Sequence, residues 1–267
     1  MLTLADVAPE GVLLAGAGRA ILLQIAHPAI GYGVARHSDF ANRPVDRLNA
    51  TLSYIYALSN GSDDDARIMR RAVNRAHAPV RNPPRGAAPG AAASAGDPPY
   101  DARDPALQLW VAATLYDTAL TVYERVYGPL DDASADHVYR EYARLGTALQ
   151  MPAELWPPDR AAFRAYWNET VATLRVDDTI RGVADALLRA EKAAWPIRVA
   201  MPTARLVTVA LLPGAVRQEY RFAWSAQRDR RFERLVRVAA PVYRVLPRSL
   251  RRWPQRHYLA RIRSRYA

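Results

Sequence analysis

The 267-residue chain contains no cysteine. Disulfides, zinc fingers, iron–sulfur clusters and any cofactor held by a thiolate or attached through CxxCH are therefore excluded. Lysine is almost as scarce. Lys192 is the single one, so nearly all positive charge is arginine. No long apolar run is present either. The most hydrophobic stretch, Val12 to Val34, is interrupted by Arg19, Gln24, His27 and Pro28, whereas a transmembrane helix wants ~20 clean residues. The opening MLTLADVAPEG lacks the basic n-region of a signal peptide. The expectation is a soluble, cytoplasmic protein. Acids are scarce at one end only. Residues 217–267 hold 15 Arg against three acids (Glu219, Asp229, Glu233), a net +12, which leaves about −1 for the rest of the +11 total. Such a tail suits nucleic acid, anionic lipid, an acidic partner or the chain's own surface. It has no glycine-rich RNA motif and no zinc knuckle, so a solvated or self-packed face is favoured over nucleic acid.

Familiar catalytic signatures are missing as well. There is no HExxH, no Glu-x-x-His pair, no GxSxG and no GxxxxGK[ST]. GAGRA, at residues 16–20, is not GxGxxG and follows no strand, so its small residues are better read as a close helix contact. Five histidines remain: His27, His37, His77, His137 and His257.

What the chain does have is helical periodicity. Asp63 to Arg81 is the clearest case. Three acids open it, which suits the positive end of a helix. Ile68, Ala72, Val73 and Ala76 follow at helical spacing, and Pro79 cannot continue the ladder. His77 then falls in the last turn, where it suits metal or haem-iron ligation, or else a capping or packing role. Upstream, Gly11 to Val34 reads as a helix kinked by Pro28, with His27 just before the kink and His37 after it. Pro44 to Ser59 reads as the next helix, with Arg47 and Thr51 four apart on one face. Residues 82–103 read as a long loop or lid. Asp104-Pro105 is a cap followed by a first-turn proline. It opens the most apolar long helix, which carries the polar line Thr114, Thr118 and Thr121 and ends near Gly128. Ser134 is expected to cap a further helix to Gly146, and helical patterns continue through Arg160–Leu174, Asp178–Ala194, Pro202–Leu212, Gly214–Trp224 and Ser225–Val245 to a basic last piece. No alternating strand pattern appears. The fold class expected is all-α, one domain of about eight to eleven helices around one core. In the tail, Leu235, Val236, Val238, Val242, Val245 and Leu246 provide an apolar face that is expected to pack on that core. Loss of only residues 261–267 is expected to be harmless.

Several stretches taken together go beyond these generic patterns. GRAILLQIAHPAIGYGVARHSDF, RLNAT, RAHAPVR, DPALQLWVAATLYDT, YERVYGPL, MPAELWP, FRAYW and RLVTVALLPGAVRQEYRFAWS, in this order, resemble the rubber oxygenase (latex-clearing protein) and MpaB-type oxygenase family. The resemblance spans about Gly11 to Trp253 and implies an all-helical protein with non-covalent haem b. It implies His77, in HAPVR, as the proximal iron ligand, with Arg81 as the motif arginine. Arg47 and Thr51 match an Arg-x-x-x-Thr pair, and Thr114 matches a Thr-Leu step of the central helix. These residues would position the haem or dioxygen. Lysine-ligated members carry a distal lysine where this chain has Ala50, and those enzymes are secreted. His27 and His37 are left as candidates for a distal base, donor or sixth ligand, with Thr51 beside them. The reading is a haem-b-dependent oxygenase or oxidase using dioxygen on a small, apolar intracellular molecule. Two alternatives stand beside it: a haem-free helical ligand- or partner-binding protein, and a basic-tail binder of nucleic acid or an anionic membrane surface.

Overall fold

The computed structural model describes residues 1–37, 44–82, 97–190 and 194–266. The fold is all-α. The main helices are α1 (Ala17–Ile25), α2 (Pro28–His37), α3 (Pro44–Asn60), α4 (Asp63–His77), α5 (Pro105–Tyr127), α6 (Asp132–Tyr142), α7 (Arg160–Thr173), α8 (Asp178–Arg189), α9 (Trp195–Leu211), α10 (Ala226–Val245) and α11 (Trp253–Tyr266). Shorter helical turns join several of them.

Their ends follow from local chemistry. Asp104 caps α5 by accepting the Ala106 N–H at 2.8 Å, with Pro105 in the first turn. Gly128 closes it at φ 86°, a backbone region open to glycine. Ser62 and Asp65 form a capping box at the start of α4. That helix ends at His77, two residues before Pro79. At α6 the cap is Asp131, not Ser134. The Asp131 carboxylate accepts the Ser134 N–H, and the Ser134 hydroxyl instead accepts the Leu2 N–H at 2.8 Å.

Pro28 does more than kink its helix. It separates α1 from α2, and the segments Gly11–Ile25 and Pro28–His37 are bent by 106°. No single described helix is long and apolar enough to cross a membrane. A Cβ on Gly31 would stand 2.5 Å from the Ile25 carbonyl and 2.7 Å from the Ile180 side chain, so the tight corner and the crossing of α8 both require glycine there. Likewise a Cβ on Gly16 would meet Thr118 at 2.5 Å, which makes the small-residue run a close helix contact.

Helix α5 is the central pillar: Trp110, Ala112, Ala113 and Thr114 are almost completely buried. Tyr116 on the same helix is ringed by Tyr139, Tyr142, Trp156 and Phe163, with centroids 4.9–6.1 Å away. Arg19 is buried but fully engaged. Its guanidinium donates to the Leu211 carbonyl, Thr118 and Asp117 and ties α1, α5 and α9 together. Two short strands, Arg81–Asn82 and Tyr100–Asp101, pair antiparallel with Arg81 opposite Asp101. Two residues are too few to leave a period in the sequence. Residues 83–96, the middle of the expected lid, lie outside the described residues, as does Lys192.

The tail packs by a different face from the one expected. On α10, Phe232 and Ala240 are buried, while Val238, Val242, Val245 and Leu246 are exposed. Leu235 and Val236 are half-buried. Farther on, Leu259 and Ile262 enter the main core, so residues 261–267 carry core contacts and are not a free end.

Candidate functional site

Helices α3 and α4 face each other over a cavity of about 400 Å³, closed by α2, α5 and the second strand. On α3 the lining residues are Arg47, Ala50, Thr51 and Tyr54. Their spacing of three and four puts them on one helical face. On α4 they are Val73, Ala76 and His77, and α5 contributes Leu107, Gln108, Val111, Ala112 and Leu115. The walls are thus mostly aliphatic, interrupted by His77 and His37, Tyr54 and Tyr100, and Arg47.

His77 is half-buried, and its Nδ1 is buried without a hydrogen-bond partner. Burial, then the nearby Arg47 charge, holds its imidazole below the ordinary value of 6.5. A neutral ring is the form that binds metal. Arg47 keeps some accessible surface because it lines cavities, yet burial pushes its guanidinium down to about 10. His37 stands at the exposed rim. Its Nε2 is 3.0 Å from the Tyr100 hydroxyl, and the rings meet edge-on at 5.7 Å. Next to it, Arg36 grips Asp97 with two hydrogen bonds of 2.7 and 2.9 Å. These two links hold residues 97–100, the approach to the second strand, against α2.

A second cavity of about 560 Å³ lies on the other side of α3 residues Arg47 and Thr51. It is bounded by α1, α3, α5 and the first half of α9. Gln24, Arg47, Thr51 and Leu115 line both cavities and form their common wall. Gln24 is buried and donates from Nε2 to the Thr114 hydroxyl at 3.1 Å, and that hydroxyl donates to the Val111 carbonyl. Thr114 itself lines neither cavity; it holds Gln24 in place. In the sequence Gln24 is merely a break in an apolar run, and only its position on the common wall marks it.

The model for the ER-bound oxygenase mpaB/B′ and rubber oxygenase catalytic domain matches residues 5–241. The chain belongs to this oxygenase family. Two uncharacterised mycobacterial relatives, from Mycobacterium tuberculosis and Mycobacterium bovis, are each 37% identical over 233 residues, covering 85% of this chain and 87% of the relative. No solved structure matches. In this member of the rubber oxygenase/MpaB family, Ala50 presents exposed surface to the smaller cavity. His77, Arg47, Thr51 and His37 are brought to that same cavity. Others are not. Arg81 is exposed on the first strand, beside Asp101, and lines neither cavity. His27 also lines neither; its Nδ1 is buried without a partner beneath the α1–α2 corner. Among the described residues no group of three or more His, Asp or Glu could hold a metal ion. Iron inside a porphyrin, by contrast, needs one or two protein ligands.

The depressed imidazoles give an expected pH response. His77 and His27 both titrate below 6.5 in the fold, chiefly through burial. The unfolded chain therefore takes up their protons first as pH falls. The contribution is complete above the unfolded value and lost progressively below it. In the ligand-free protein, denaturant midpoints are expected to drop as pH falls below about 6.5, and His77→Gln should shallow that slope. An unchanged slope in the variant would place the histidine's titration elsewhere.

Proposed function

We propose that this oxygenase binds haem b in the smaller cavity, with His77 as its iron ligand, and receives a small apolar molecule in the larger one. The observation that carries the reading is His77. Its imidazole lines an aliphatic cavity, its Nδ1 has no partner, and burial with Arg47 favours the neutral form. The residues present fit the group. A neutral histidine suits iron, aliphatic walls suit a macrocycle, and one guanidinium suits a propionate. When bound, haem supplies the redox chemistry that activates dioxygen. The chain's own task is then orientation and exclusion. Thr51 lines both cavities with a polar side chain that adds no charge, and Gln24 offers an amide fixed by Thr114. These polar groups stand where the two cavities meet. Elsewhere the larger cavity is faced mainly by Leu, Ile, Val, Ala and Gly, including Ile197, Met201 and Ala204 of α9. Such walls favour an apolar molecule, and the volume is within the roughly 300–1,000 Å³ of small-ligand sites.

The test is an absorption spectrum of freshly purified protein with a pyridine haemochrome assay. One haem b per chain is expected. Colourless protein that takes up no added haemin would instead favour a haem-free apolar-ligand binder. Arg47→Ala is expected to weaken haem binding about ten- to hundredfold, the scale of one charge-assisted hydrogen bond. Arg81→Ala should bind haem like the parent, because its side chain lies outside the cavity; haemin titration of both variants checks this.

A further inference from the structure

We propose that the outward face of α10, with the turn that follows it, is a docking surface for an anionic lipid bilayer. The helix is amphipathic twice over. One face, with Phe232 and Ala240, is buried against the body. The opposite face presents Val238, Val242 and Val245, spaced four and three apart and therefore aligned. They are 64, 58 and 81% exposed, and with their neighbours form a contiguous apolar patch of the kind that marks an interaction surface. Leu246, Leu250 and Trp253 extend the exposed apolar surface beyond the helix end.

The charges around this stripe select the partner. The arginines of the tail divide into two sets. Arg251 pairs with buried Glu10, and Arg263 pairs with Asp65; these hold the tail to the body. Arg230, Arg231, Arg234, Arg237 and Arg244 are all exposed, and their side chains form no hydrogen bond or ion pair among the described residues. Arg231 and Arg234 continue the outward face toward the start of the helix, while Arg237 and Arg244 flank the valines. Aliphatic side chains and a tryptophan beside a row of unpaired arginines are the pattern of a helix lying in a bilayer interface. The apolar side chains enter the acyl boundary and the guanidiniums meet anionic headgroups. Nucleic acid would use the arginines and leave the valines in water. A second copy of this chain would bring the same positive charges together.

Sedimentation of the full-length protein with vesicles tests this, using phosphatidylcholine alone and phosphatidylcholine mixed with phosphatidylglycerol. Binding to the mixed vesicles only is expected, weakening steeply as salt is raised. Arg231→Gln and Arg234→Gln should each reduce partitioning roughly fivefold. The double variant Val242→Asp/Val245→Asp should nearly abolish it, with unchanged circular dichroism and melting because both side chains already face water. Equal binding to both vesicle types, or no binding to either, overturns the proposal. So does a Val242→Asp/Val245→Asp protein that binds like the parent. If those same substitutions convert a concentration-dependent dimer to monomer, the face belongs to a second copy and the proposal fails.

Discussion

Replacing His77 by alanine is expected to leave a helical, soluble protein that has lost most of its haem. Affinity should fall by more than the roughly 10–100-fold that removal of an outer-shell partner costs at a metal site, because here the proposed ligand itself is removed. The helix should survive, since alanine is a better helix former than histidine and the Ser62–Asp65 capping box at the other end is untouched. His27→Ala is the informative control. His27 lines neither cavity, so its variant should retain haem, as should His137→Ala and His257→Ala. The measurement is haem per chain by pyridine haemochrome, beside circular dichroism. Full occupancy and an unaltered spectrum in His77→Ala would sink the ligand assignment.

Deleting residues 225–267 is expected to abolish cooperative folding. Glu10 is 4% exposed and accepts hydrogen bonds from Tyr127, Tyr243 and Arg251. Two of those three donors lie in the deleted segment. Losing these two bonds to a charged group costs about 1.5–3 kcal/mol each, the deletion uncovering the carboxylate at the same time. Phe232, Leu259 and Ile262 leave the core in the same step, each worth about 1.5–3 kcal/mol on transfer from water. The combined loss is comparable to the roughly 5–15 kcal/mol that stabilises a typical domain. The shorter deletion, residues 261–267, still removes Ile262, which is 2% exposed. Losing that burial costs roughly 1.5–3 kcal/mol, equivalent to a fall of about 3–12 °C in melting temperature. Thermal melts of both truncations decide the matter: a long deletion that melts with the parent would make the tail an appendage.

Most helices and many of their ends were legible in the sequence. Periodicity, Asp104-Pro105, the acids of 63–65, Pro28 and Pro79 act within a few residues. Proline has no N–H to donate, and an acceptor side chain at the cap satisfies one that would be orphaned, although α9 and α10 run on through Pro202 and Pro241. The same local rules put His77 in a last turn and Arg47 with Thr51 on one face, and the ordered stretches pointed to the oxygenase family. Which of those side chains meet depends on how the helices pack. Gln24 joins Arg47 and Thr51 because α1 and α3 both contribute to the wall shared by the two cavities. Thr114 becomes its support, and Arg81, four residues beyond His77, turns outward along the two-residue strand opposite Asp101. Helix α10 shows why such outcomes cannot be read one residue at a time. It carries apolar side chains on two faces, and periodicity is indifferent to which is buried. Packing of Phe232 against Val122 and Leu211 fixed its rotation and left Val238, Val242 and Val245 facing outward.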